Sequence, residues 1–239
     1  MIHKIFALIK SYSPSWVADP IRSLFTALLT PIKFSYGSGH FFSSFKMQAV
    51  SKRLEPIPWY TYPCIAFLEG RSFSEDRILE FGGGQSSIWW GLRATKVVTF
   101  EGNDPIFSPS FEWAQELRKK LPNNVELHEV SMQSADTCFQ QVKEVLDAKP
   151  DLKYDVIIID GLFRKQMVPI ALDYLSDEGM IVVDNAEGYE LFESFLGSGY
   201  SKVEFYGYAP GVYLQSCTAI YFKSQSKYIV DNIAIYRPN

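Results

Sequence analysis

Residues 77–88 read RILEFGGGQSSI and place three consecutive glycines between a short apolar run and a helical pattern. The apolar run contains an acid, Glu80, two residues before the first glycine. Glycines at the carboxyl end of a strand permit positive backbone angles and let a ligand approach the main chain closely. The stretch therefore predicts a ligand-binding turn between a strand and a helix. The alternative is a tight turn that binds nothing.

Short apolar segments alternate with helical patterns along the chain, which predicts an α/β fold. Runs such as VIII and MIVV are typical of a parallel sheet that is covered on both faces. The last two strands have no helix between them and predict an antiparallel hairpin at one edge. We therefore expect a doubly wound, mostly parallel seven-stranded sheet. The predicted strands are 77–81, 96–101, 125–130, 154–160, 179–185, 202–208 and 218–223, and the predicted helices between them are 86–94, 111–121, 134–148, 167–175 and 187–196.

Residues 1–55 precede this pattern and predict an N-terminal helical extension of two or three short amphipathic helices, which leaves residues 56–239 as the ligand-binding domain. Asp19 and Pro20 favour a helix start, and Pro31 favours a helix end. The segment YGSGH that follows predicts a break, and IPWYTYP predicts a turn into another helix.

The N-terminal extension differs in charge from the rest of the chain. Residues 1–53 contain seven basic residues and one acid, a net charge of +6, whereas the whole chain has a net charge of −4. A basic, Phe-rich leader on an acidic body argues against a nucleic-acid substrate. The leader suits contact with an anionic membrane surface or a partner. The alternative is a helical cap that packs on the domain.

Two absences in the sequence bear on location. The apolar runs fall well short of the roughly 20 residues that a membrane span needs, and no signal-peptide pattern is present. The three cysteines are far apart and form no CxxC pair, which favours a reducing compartment. We therefore expect a cytoplasmic protein, and the basic leader adds a peripheral position at the inner membrane face as an alternative. The sequence predicts no oligomeric state.

The residues around the glycines indicate the kind of ligand. No GK[ST] follows them, which excludes a Walker phosphate loop, and Gly82, Gly84 and Ser87 stand where a dinucleotide motif has three glycines. Glu80 would repel a pyrophosphate and would suit a ligand with a cationic end. Glu101, at the end of the next predicted strand, can accept hydrogen bonds from both hydroxyls of a ribose.

These residues carry a resemblance to a known family. EFGGGQSS followed by VVTFEGN resembles the first two motifs of the class I S-adenosylmethionine-dependent methyltransferases, and YDVIIIDG and GMIVVDN resemble that superfamily's fourth and fifth strands. The segments PWYTYP and GYAPGVY are similar to a bacterial group linked to polysaccharide or small-molecule modification. The resemblance implies methyl transfer from S-adenosyl-L-methionine, and we expect the acceptor to be an oxygen of a small molecule or sugar. It implies that the cofactor is held by Glu80, Gly82, Gly83, Gly84, Ser86, Ser87, Glu101, Gln133, Ser134 and Asp160, with Met132 beside the adenine.

Three further polar residues, Asp160, Asp184 and Asn185, follow adjacent central strands at the edge where open α/β sheets bind ligands. Their oxygens suit Mg²⁺ or Ca²⁺, and the pattern is similar to the divalent-metal catechol-type O-methyltransferases. In those enzymes the metal holds two vicinal hydroxyls of the substrate, and a lysine lies three residues after the first Asp, where this chain has Phe163. The alternative without a metal is that Asp160 or Asp184 acts as a general base.

Aromatic residues predict the acceptor site, because flat faces stack on sugar or aromatic rings and on a sulfonium. An arginine can also pair with an anionic group of a substrate. The predicted substrate residues are Trp59, Tyr60, Tyr62, Arg164, Tyr208 and Tyr213. Core packing is the alternative for these rings. Two other functions remain open, namely a non-catalytic binding protein that docks through its basic helices and a nicotinamide-dependent oxidoreductase, which Glu80 disfavours.

Overall fold

The computed structural model describes residues 11–12, 14–102, 112–161, 163–188, 192–195 and 197–230. Three sequence predictions therefore lie partly outside the described residues. They are the first part of the N-terminal extension, the first residue of the helix predicted at 111–121, and four residues of the helix predicted at 187–196.

A seven-stranded sheet forms the centre of the protein. Its strands are β1 Arg77–Phe81, β2 Lys96–Gly102, β3 Val125–Val130, β4 Tyr154–Ile159, β5 Leu175–Val183, β6 Ser201–Tyr208 and β7 Gln215–Phe222. They lie in the order β3-β2-β1-β4-β5-β7-β6. The first five strands are parallel, whereas β7 is antiparallel to both β5 and β6. This confirms the predicted mostly parallel sheet with an antiparallel edge hairpin.

Helices cover both faces of the sheet, as the doubly wound pattern requires. One hydrophobic cluster contains residues of the helices after β3 and β4, and a second cluster on the other face contains Trp89 and Trp90. The helices are α1 Ser15–Gly37, α2 His40–Lys46, α3 Tyr62–Glu69, α4 Gln85–Gly91, α5 Glu112–Arg118, α6 Ala135–Asp147, α7 Arg164–Tyr174, α8 Phe192–Phe195 and α9 Lys227–Val230, and a 3₁₀ turn spans Ala186–Gly188.

Strand β5 begins four residues earlier than predicted. Leu175 pairs with Tyr154, and the register then shifts before Val156 pairs with Met180. An irregularity in the ladder therefore adds residues that lack the continuous apolar pattern of a central strand.

The N-terminal extension contains one long helix where the sequence predicted a helix between two prolines. Helix α1 continues through both Pro20 and Pro31, so the predicted start and stop at these residues are wrong. A proline inside a helix removes one N–H from the backbone ladder. The carbonyl groups that lose their donor belong to Trp16 and Ala27, which are exposed and can bond to water. The predicted break is confirmed, because α1 ends at Gly37 and Gly39 has a φ of 85°.

The described part of the chain contains no helix that is both long and apolar enough to cross a lipid bilayer.

The glycine turn after β1 is packed against the turn after β4. The Phe81 carbonyl accepts the backbone N–H groups of Asp160 at 2.9 Å and Gly161 at 2.5 Å. Gly82 has a φ of 106°, and a Cβ there would lie 2.5 Å from the nitrogen of Gly161. Glycine is therefore required at this position by both backbone conformation and space.

We expect Gly82→Ala to lower the free energy of unfolding by about 1–3 kcal/mol, because it combines a strained backbone with a backbone clash. Chemical denaturation should show a lower midpoint with an unchanged slope. Gly188→Ala is the matched control, since a Cβ at Gly188 meets nothing within 4 Å. Equal midpoints for the two variants would contradict this account of the turn.

Candidate functional site

Two cavities open at the carboxyl ends of the parallel strands, and Asp160 lines both of them. The first, here called the glycine-loop cavity, has a volume of about 280 Å³ and lies beyond β1, β2 and β4. The second, here called the Trp59 cavity, has a volume of about 410 Å³ and lies beyond β4, β5 and β7. Ligands of open α/β sheets bind at this edge, where the chain turns from strand to helix.

The glycine-loop cavity has walls of bare backbone and a few polar groups. Its lining residues are Gly82, Gly83, Glu101, Gly102, Met132, Asp160, Gly161 and Arg164. The Glu101 carboxylate accepts hydrogen bonds from the backbone N–H groups of Gly83 and Gly102. Burial raises the pKa of Glu101 to about 8 despite these bonds, and the nearby charges of Glu80 and Asp160 add to the shift.

Glu80 is fully buried and lines neither cavity among the described residues. Its carboxylate accepts a hydrogen bond from the Ser87 hydroxyl, which itself accepts the Gly84 N–H at 3.0 Å. Burial raises the pKa of Glu80 to about 7. Glu80 therefore holds the glycine turn to the start of α4 from below, and its charge acts on the cavity across the turn.

An ion pair occupies the boundary between the two cavities. The Arg164 guanidinium donates from one nitrogen to the Asp160 carboxylate at 2.8 Å and to the side-chain oxygen of Asn185 at 3.3 Å. Arg164 is 8% exposed and Asp160 is 23% exposed, so the pair is largely shielded from water. Burial raises the pKa of Asp160, and the guanidinium opposes that shift.

This ion pair bears directly on the metal prediction. Mg²⁺ held by Asp160, Asp184 and Asn185 would need the oxygens of Asp160 and Asn185 that Arg164 already contacts. A guanidinium supplies the same positive charge with directional donors, so the arrangement does not fit a divalent ion between these oxygens. In addition, the described residues contain no group of three or more His, Cys, Asp or Glu side chains suited to a metal.

Asp184 lies at the end of β5 and is 5% exposed. It accepts a hydrogen bond from the Thr218 hydroxyl of β7 at 2.8 Å. Burial raises the pKa of Asp184 to about 8, and the charge of Asp160 adds to the shift. A carboxyl group with a pKa near neutrality changes protonation state in the range where a general base operates.

The structure brings together only part of the predicted substrate set. Trp59 lines its cavity and donates its indole N–H to the Pro210 carbonyl at 2.8 Å. Tyr60 is fully buried and accepts a hydrogen bond from Trp90 at 3.3 Å. Tyr213 is 83% exposed.

Two of the predicted substrate tyrosines contact the N-terminal helices. The rings of Tyr62 and Tyr208 lie 5.5 Å and 6.3 Å from the ring of Phe34 in α1, and both rings also contact His40 in α2. These two tyrosines therefore connect the extension to the rim of the site.

The predicted cofactor residues after β3 differ in position. Met132 lines the glycine-loop cavity, whereas Gln133 and Ser134 are exposed and outside its described lining. Ser134 accepts the Thr137 N–H at 3.1 Å and caps α6. Ser86 is buried at the start of α4, beside Ser87.

Sequence reasoning did not predict several residues that line the cavities. They are Gly102, Gly161, Glu187, Ala209, Val212, Leu214, Gln215 and Ser216. Most belong to the loop and first residues of the final hairpin, whose position over the site depends on the antiparallel pairing of β7 with β5. The available signal was the acid Glu187, three residues after Asp184.

Comparison with solved structures identifies the fold. A precorrin-6y C5,15-methyltransferase from Geobacter metallireducens is 19% identical over 76% of this chain and 96% of that chain, with a TM-score of 0.50. The fold is that of the S-adenosylmethionine-dependent methyltransferases. Similarity at this level of identity concerns the fold alone.

Two other solved structures resemble the methyltransferase fold of this chain more distantly. The O-methyltransferase TomG from Streptomyces achromogenes, solved with S-adenosylmethionine, is 18% identical over 79% of this chain and 87% of that chain, with a TM-score of 0.48. A methyltransferase from Pyrococcus furiosus is 18% identical over 66% of this chain and 80% of that chain, with a TM-score of 0.43. No family model and no curated protein matches the chain.

The raised pKa of Asp184 predicts how the stability of the ligand-free protein depends on pH. A carboxyl group whose pKa is higher in the folded state stabilises the fold when protonated, and that contribution is lost as pH rises from about 4 to about 8. Thermal unfolding should therefore show a lower melting temperature at pH 8.5 than at pH 5.5. Asp184→Asn should reduce this difference by a few degrees.

Asp173→Asn provides the control, because Asp173 is exposed on α7. The same pH dependence in the wild type and Asp184→Asn would show that Asp184 is not the group that loses its proton.

Proposed function

We propose that this protein is an S-adenosylmethionine-dependent methyltransferase that methylates a hydroxyl oxygen of a small molecule or sugar. The observation that carries the proposal is the pair of cavities that meet at Asp160. One cavity has the bare backbone and ribose-binding acid expected of a cofactor site, and the other has the aromatic and polar lining expected of an acceptor site. A methyl donor and its acceptor need to meet at such a boundary.

The charges around the glycine-loop cavity support a cationic cofactor. Glu80, Glu101, Asp160 and Asp184 raise one another's pKa values through their negative charges, and only Asp160 is paired with an arginine in the described contacts. The sulfonium and ammonium groups of S-adenosylmethionine would relieve this repulsion. A pyrophosphate would increase it, which disfavours the nicotinamide alternative.

The lining of the Trp59 cavity supports a neutral acceptor that carries hydroxyl groups. Asp184 and Glu187 contribute carboxylates, whereas Gln215 and Ser216 contribute neutral polar groups. Arg164 contacts Asp160 and Asn185, so it is engaged within the site and is poorly placed to neutralise an anionic acceptor. The indole of Trp59 offers an apolar face to a sugar or aromatic ring.

The chemistry follows from these residues. When bound, S-adenosylmethionine supplies a methyl group on a positively charged sulfur, which an acceptor oxygen takes in a single displacement. Asp184 accepts the proton of the acceptor hydroxyl. Arg164 holds Asp160 in place between donor and acceptor. Trp59 and the loop beside it position the acceptor and exclude water, and alignment of this kind supplies much of the rate enhancement.

Calorimetric titration tests the cofactor assignment. We expect S-adenosylmethionine and its demethylated product to bind, and Glu101→Gln to weaken binding by about tenfold or more, equivalent to about 1.4 kcal/mol. Binding should release protons near pH 7, because a cation lowers the raised pKa of the nearby carboxyl groups. Glu116→Gln, on the surface of α5, is the control.

Tighter binding of NADH than of S-adenosylmethionine would contradict the proposal. Cofactor binding without methylation of any compound in a panel of hydroxylated acceptors would favour the non-catalytic binding protein instead.

Turnover without added metal tests the role given to Asp184. We expect EDTA to leave the rate unchanged and Asp184→Asn to lower kcat by about 10²-fold or more, the usual contribution of a general base. The wild-type rate should rise with pH as Asp184 ionises near pH 8. Loss of activity in EDTA, restored by Mg²⁺, would instead support the metal site predicted from the sequence.

A further inference from the structure

An exposed apolar stripe runs along the N-terminal helices. In α1, Leu24, Leu28, Ile32 and Tyr36 recur every four residues, and each is between 59% and 64% exposed. The stripe continues on α2, because the ring of Tyr36 lies 6.5 Å from that of Phe41, which lies 4.8 Å from that of Phe45. These six residues are here called the apolar stripe.

Helix α1 packs little of its surface on the rest of the described chain. Ala18 is its one buried residue among those the structure describes. A helical cap on the domain would bury its apolar side, and α1 presents that side to water instead. Exposed apolar surface of this extent marks a binding site for a partner or a membrane.

Basic residues border the apolar stripe. At about 100° per residue, Arg22 and Lys33 fall beside it, whereas Thr26 and Thr30 fall on the opposite side of α1. Lys46, Lys52 and Arg53 follow on and after α2, and Asp19 is the one acid between residues 14 and 53. This combination of an apolar face and flanking cations is typical of helices that lie in the interface of an anionic bilayer.

The positive charge favours a lipid surface over a second copy of the stripe. Two copies packed stripe to stripe would bring their cations together, and this repulsion would oppose association. Anionic head groups would neutralise the same cations, and each lysine or arginine near such a surface contributes to binding. No described helix can span the bilayer, so the contact is one of lying on the surface.

We propose that the apolar stripe docks the protein on the surface of an anionic lipid bilayer. The surface is connected to the Trp59 cavity, because the Gly211 N–H donates to the ring of His40 in α2 at 3.3 Å. A Cβ at Gly211 would lie 2.9 Å from the backbone of Ser43. Helix α2 therefore supports the loop whose residues Ala209 and Val212 line that cavity.

Co-sedimentation of the full chain with vesicles tests the proposal. The vesicles contain phosphatidylcholine alone or with about 30% phosphatidylglycerol, a fraction that produces a negative surface potential. We expect at least tenfold tighter binding to the anionic vesicles, weakened by added salt. The measurement needs no cofactor, so its failure is distinguishable from failure of the proposed methyl transfer.

Two matched double variants locate the contact. Leu28→Asp with Ile32→Asp should weaken vesicle binding by at least tenfold more than Thr26→Asp with Thr30→Asp. Both pairs add the same charge to the same helix, and they differ only in the face that carries it. Circular dichroism and thermal unfolding verify that each variant is folded, and a single Ile32→Ser change provides a milder test of the same face.

Three results would overturn the proposal. The first is no sedimentation with anionic vesicles, and the second is equal loss of binding in the two double variants. The third is a wild-type oligomer that becomes monomeric in Leu28→Asp with Ile32→Asp while vesicle binding is absent. Light scattering would reveal this last case, in which the stripe binds a second copy of the chain.

Discussion

The carbonyl oxygen of Phe81 joins the two turns on which the candidate site is built. It accepts the N–H groups of Asp160 and Gly161, and this close contact is possible because Gly82 has no side chain. The glycine turn after β1 is thereby fixed against the end of β4. As a result, Asp160 borders the cofactor cavity on one side and the acceptor cavity on the other.

Buried negative charge dominates the electrostatics of the site that this contact creates. Four carboxyl groups lie within interacting distance, and desolvation raises the pKa of each. An empty site of this kind costs stability at neutral and higher pH, and a cationic ligand recovers part of that cost. Arg164 compensates for Asp160 from within the protein, at the place where the sequence suggested a metal ion.

The N-terminal helices are connected to the same site through aromatic contacts. Phe34 and His40 pack on Tyr62 and Tyr208, and His40 also accepts the N–H of Gly211. A change in the position of α2 would therefore be felt by a wall of the acceptor cavity. A surface that binds a bilayer and a cavity that binds an acceptor share one structural element in this arrangement.

The amino-acid sequence by itself determined the order and type of the strands, because near-continuous apolar runs separated by helical patterns have few alternative packings. It also placed Glu101, Asp160 and Asp184 at the ligand-binding edge, since each directly ends or follows a predicted strand. Tertiary structure decided which partners these side chains have. Glu80 lies beneath the turn, and Arg164 reaches both Asp160 and Asn185. Such contacts depend on the face to which a side chain points and on neighbours distant in sequence, as when Trp59 bonds to Pro210. Local patterns carry no information about either, which is also why Pro31 was wrongly expected to end a helix that solvent-exposed carbonyl groups allow to continue.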